Sequence, residues 1–111
     1  MSVETLYPMV SAAIQRAEDL EDRGAPGSKE AFLDVSRLEE QIAETLPASD
    51  PEGALARRGA VRAALSAHDP ARARQLIDRY LADTECDQQL RSDLLGFSER
   101  VEAVGAARAL R

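Results

Sequence analysis

Cysteine, histidine, lysine and tryptophan are nearly missing from this chain: it has one Cys, one His, no Trp, and Lys29 as the single lysine. A lone Cys86 cannot close a disulfide within the chain and excludes paired-thiolate motifs. A lone His68 excludes a two-histidine zinc site of the His-Glu-x-x-His type, and also the Glu-x-x-His pair that di-iron bundles need on two helices. There is no Gly-rich phosphate loop and no Gly-x-Ser-x-Gly elbow. No stretch resembles a secretory h-region or a run of about 20 apolar residues, so a soluble, cytoplasmic protein is expected, with no membrane association. Aromatics make up only 4% of residues, against twenty alanines and thirteen leucines, which favours helix and nearly excludes an all-β fold.

What is present suits one folded domain. The chain has 111 residues, 44% hydrophobic and 31% charged, an ordinary globular composition large enough for a single core. The excess of arginine over lysine, with the abundant alanine, looks like the codon bias of a GC-rich bacterial genome. The net charge of -6 argues against a nucleic-acid partner, because phosphate contacts need a basic footprint. That charge is unevenly placed. Residues 1–53 carry four bases and twelve acids, whereas residues 54–111 carry ten bases and eight acids. The basic excess concentrates at Arg57, Arg58, Arg62, Arg72, Arg74 and Arg79. Two uses are open to these arginines: meeting the acidic N-terminal half within the fold, or offering a surface to an acidic partner.

Apolar spacing near 3.6 recurs through the chain and breaks at turn residues, which predicts an all-α protein, a compact antiparallel bundle of four to five helices over residues 1–111. The first spans about 3–22 on Val3, Leu6, Val10, Ala13, Ala17 and Leu20. Since proline is tolerated only in a first helical turn, Pro8 places its ordered start near Tyr7, with Met1–Thr5 frayed or packed as a short extension. The second spans 28–46, with Ser28 as N-cap and Phe32, Val35, Leu38, Ile42 and Leu46 as its stripe. The third spans 51–67, capped by Ser49 with Glu52 or by Asp50 with Pro51, and its small residues imply a closely approached neighbour. Asp69 and Pro70 start the fourth (70–83), and Thr84 with Asp87 starts the fifth (85–109), unless those two are one kinked helix. Four apolar residues, Met9, Leu33, Leu95 and Leu110, fall off the main stripes.

The hairpin from Ala60 to Ala82, with its Ala-Leu-x-x-x-Asp-Pro-x-x-Ala pattern, resembles the helical pairs of tetratricopeptide-like repeats and the closing helices of some bacterial ligand-binding regulator domains. The resemblance spans about a fifth of the chain, has no second copy at the 34-residue period, and carries no functional residue with it.

Candidate chemistry is sparse. His68 beside Asp69 is a conceivable proton-transfer pair, yet it falls where a helix ends and His suits the dipole. Cys86, expected in a first helical turn, is surrounded by Asp83, Glu85 and Asp87, whose charge opposes a reactive thiolate. Carboxylates at i, i+4, such as Glu18 with Asp22 and Glu40 with Glu44, read as solvated faces. No cofactor and no metal are expected. The function expected is therefore a non-catalytic interaction module, an adaptor, accessory subunit or regulator that binds another protein through charged helix faces. Its partner-binding residues are expected at Arg57, Arg58, Arg62, Arg72 and Arg74. Homodimerisation through the fifth helix, or sensing of an apolar ligand between helices, are the alternatives.

Overall fold

Backbone groups at each helix end decide where the helices stop, and four junctions divide the chain. In the computed structural model, which describes residues 1–109, the elements are α1 (Val3–Asp22), α2 (Ser28–Thr45), α3 (Pro51–Ser66), α4 (Pro70–Leu81) and α5 (Gln88–Ala109). Among the described residues there is no strand. The all-α bundle expected from the sequence is thus observed, with α4 and α5 as separate helices. Leu110 lies outside the described residues.

Two of the junctions share one device. After α1, Gly24 adopts φ +60, its N–H meets Glu21 O at 3.0 Å, and the Ala25 N–H reaches back to Leu20 O at 2.9 Å. After α3, His68 takes the same left-handed conformation at φ 57, with His68 N to Leu65 O and Asp69 N to Ala64 O both at 3.0 Å. Both are Schellman motifs, in which a residue at positive φ lets the chain fold back on the last carbonyls. Asp50 and Asp69 then cap α3 and α4 through the N–H groups of Glu52 (2.8 Å) and Arg72 (3.0 Å), each with proline at the first helical position.

Several boundaries differ from expectation. Ser28 is the first residue of α2 rather than its cap; that place belongs to Gly27, which is left-handed at φ 96 and makes no side-chain bond. Ser49 does not form a capping box and donates instead to Glu85 at 3.4 Å. The last helix begins at Gln88, because Asp87 captures the Leu90 N–H at 2.7 Å while Asp83 ties the Glu85 N–H into a turn at 2.9 Å. Thr84 has no cap to make there. Pro8 sits inside α1, which begins at Val3. Burial of Leu6 (1% exposed) and Val10 outweighs the one helical bond the proline removes so near the helix end.

The helices are laid side by side in a slab of 39 × 31 × 17 Å. The α1 helix packs on α2, α2 on α3, and α3 on both α4 and α5, which also pack together. The alanine-rich α3 is therefore central, as its small residues foretold: Ala56, Ala60, Ala64 and Ala67 are buried. They share one cluster of side chains with Leu6, Ile42, Leu76, Ile77, Tyr80, Leu90 and Leu94, apart from Ala67. A smaller cluster of Ala17, Ala31, Val35 and Ala63 joins α1 and α2 to α3. Leu33 is buried, whereas Met9 and Leu95 are exposed.

Candidate protein-binding site

The five arginines of the expected partner surface do not form one open patch. Arg57 is only 6% exposed. It donates to the carbonyls of Ala43 (3.0 Å), Leu46 (3.0 Å) and Gly53 (2.9 Å), lies over the Tyr80 ring, and approaches Asp83 at 3.7 Å. Its role follows from the sequence beside α2. The Ala43 carbonyl would accept the N–H of residue 47 in a continuing helix, but Pro47 has none. Arg57 supplies the missing donor and places a cation at the negative end of the α2 dipole. It is a helix cap contributed by a neighbouring helix, too buried to meet a partner.

Arg72 and Arg74 are also engaged within the fold, each half-buried. Arg72 donates Nε to Ser36 Oγ (2.9 Å) and Nη2 to Glu40 (2.7 Å), while Ser36 donates onward to the Ala60 carbonyl at 2.7 Å. Arg79 meets the other Glu40 oxygen at 2.5 Å. Burial alone would raise the Glu40 carboxyl, but hydrogen bonds and charge from these two arginines outweigh it and hold the group below the usual carboxylate range. The acidic and basic halves of the sequence thus meet within the fold. Arg74 binds Ser98 Oγ at 2.9 Å, and Arg58 pairs with Asp93 at 2.6 Å, both across to α5. Of the five, Arg62 alone is exposed, with its guanidinium 5.8 Å from the Phe97 ring centre.

His68 and Cys86 also resolve into structural roles. His68 supplies the left-handed residue of a Schellman motif and Asp69 caps α4, so the two act on the backbone. Cys86 precedes α5 rather than opening it; burial pushes its thiol up, the charge of Arg91 opposes this, and the smaller effects of Asp87 and Asp83 add to the rise. The pair Glu40 and Glu44 is split by the engagement of Glu40 with arginine. Among the described residues, no three His, Cys, Asp or Glu side chains gather to hold a metal. No described helix is long and apolar enough to cross a membrane.

What the fold does leave open is a trough. Because α1 and α3 flank α2, the face of α2 between them is a floor with two walls. One hollow of about 180 Å³ is lined by Tyr7, Val10, Ile42, Glu52, Leu55 and Ala56 with Glu39. Another of about 220 Å³ is lined by Ile14, Glu18, Phe32, Val35, Arg62 and Ala63, again with Glu39. Glu39 lines both of them, on the α2 face between the two walls. Leu55 stands 56% exposed on its wall, and Tyr7 donates to Glu52 at 3.4 Å across one end.

No family model, curated protein or solved structure matches this chain. The site therefore rests on its own geometry.

Two other hollows differ from the trough in having paired charges. The larger, about 470 Å³, is lined by α1 and α2 residues alone, where Arg37 already binds Asp34 at 3.2 Å. The second, between α3 and α5, holds the Arg58–Asp93 pair beneath Phe97. Glu39 is the residue that sequence reading passed over. Its carboxyl is raised to about 7 by burial, opposed by the charge of Arg62. Nothing in the acidic run Glu39, Glu40 and Glu44 distinguishes it except the glycine, Gly59, that α3 sets against it.

Proposed function

We propose that this protein is a non-catalytic, cytoplasmic interaction module, an adaptor, accessory subunit or regulator of a larger bacterial protein, and that it binds that protein in the trough between α1 and α3. The observation that carries this reading is the groove itself. It combines apolar walls, an exposed Leu55 and Tyr7, and a carboxylate at its floor, Glu39, to which no hydrogen bond is made among the described residues. Apolar surface rimmed by charge is the usual makeup of a protein-binding groove. Arg62 is the member of the arginine cluster that reaches this rim.

The test compares tagged wild type with Leu55→Glu and Arg62→Glu, used as bait in a lysate of the source cells. Both side chains are exposed, so the variants should fold. The reading expects a stoichiometric partner that Leu55→Glu releases. Recovery of the same proteins by all three baits would contradict it.

Self-association is a second reading, favoured by one feature of α5. Its core-facing stripe of Leu94, Phe97 and Val101 continues to Val104, which is 38% exposed. Light scattering at high concentration distinguishes a 12.1 kDa chain from a dimer.

A further inference from the structure

Glu39 lines both hollows of the trough, with its carboxyl set against Gly59 of α3. The next acid, Glu40, is held by Arg72 and Arg79, but Glu39 has no ion pair among the described residues. Arg62, on the rim, is stacked on Phe97 instead. The trough ends are also acidic, with Glu52 at one and Glu18 at the other. An acidic ligand would meet three carboxylates there. A wholly apolar one would cover Glu39 without giving it a partner and would favour its neutral form. A cation on an otherwise apolar face suits the site: it converts an isolated carboxylate into a charge-assisted pair.

The dimensions select the form of the occupant. The α1 wall from Tyr7 to Glu18 runs about 16 Å at 1.5 Å per residue, or three helical turns. An open groove of that length between two helices accepts a third helix through its i, i+3, i+4, i+7 anchors.

We propose that the trough receives one amphipathic helix of the partner protein, bearing a lysine or arginine in the middle of its apolar face that pairs with Glu39, and further basic residues toward Glu18 and Glu52. This rests on the reading of the trough as a protein-binding site. The groups that face Glu39 are Arg62 and Glu52 from α3 and Tyr7 and Glu18 from α1. Since burial pushes the unliganded carboxyl up to about 7, pairing strengthens as it ionises.

A displayed library of amphipathic helical peptides, with charged and apolar positions randomised, is selected on the full chain. Affinities of the winners are then measured against wild type, Glu39→Gln and Leu55→Glu. The proposal expects winners with a central Lys or Arg, at least about tenfold weaker on Glu39→Gln, and tighter at about pH 8 than at about pH 6. Winners that need Leu55 but carry no central cation, or that bind Glu39→Gln equally, overturn the proposal while leaving the protein-binding trough in place. A library with no winner dependent on Leu55 overturns both.

Discussion

The carboxyl carbon of Glu39 lies 2.7 Å from the point that a Cβ on Gly59 would occupy, and both carboxylate oxygens lie 2.9 Å from it. The glycine in the middle of α3 is what lets the acidic side chain lie flat against the α3 wall of the trough. Gly59→Ala should push the carboxylate outward into water. The expected result is a Glu39 pKa lowered from about 7 toward the ordinary glutamate range, read by NMR titration of its side-chain carboxyl. Helix propensity should add about 1 kcal/mol of stability. An unchanged titration would place Glu39 elsewhere.

Glu39 also sets a pH dependence of folding. Its folded-state pKa, about 7, is above the ordinary glutamate value of 4.5, so between those values the native state binds more protons than the unfolded one. Stability should therefore fall as pH rises through this window and level off above it. Glu39→Gln should remove that decline. Denaturant midpoints measured across the window check this, and a variant that keeps the decline would assign it to another group. Glu40 acts in the opposite sense: its lowered pKa contributes stability that is lost only as pH falls below the ordinary carboxylate range.

Arg57 should matter for stability rather than binding. Arg57→Ala leaves the Ala43 and Leu46 carbonyls without their side-chain donor and should cost about 3 kcal/mol. Arg57→Lys should recover part of this, since an ammonium keeps the charge at the end of α2 but lacks the guanidinium fork. Chemical denaturation gives both values. A near-neutral Arg57→Ala would refute the capping role.

At the α3–α4 junction, His68 pays the steric cost of a left-handed backbone without being glycine. His68→Gly should stabilise the protein by about 1 kcal/mol, visible as a raised Tm. Destabilisation would mean that the imidazole itself makes an interaction worth more than the strain.

Local signals were the legible ones. Asp50-Pro51 and Asp69-Pro70 announce α3 and α4 because cap and proline lie next to each other, and the alanines of α3 announce its central place because only small residues permit neighbours on several sides. Arginine was legible as a cluster but not by destination. Arg57, Arg58 and Arg72 point to three different places because helical spacing turns them around the axes of α3 and α4, toward α2 or α5. The Arg57 cap was half-announced by Pro47, which removes a donor without saying what replaces it. Glu39 carried no signal of its own: three carboxylates on α2 look alike until α1 and α3 wall in one of them.

The most direct test is photocrosslinking in the cells the protein comes from, with a photoreactive residue at Leu55 in the trough or, separately, at the exposed Gln75 on α4. The account predicts a discrete crosslinked product from position 55 and none from position 75, with the captured segment an amphipathic helix carrying a lysine or arginine on its apolar face. Equal products from both positions, or one from position 75 alone, would contradict it.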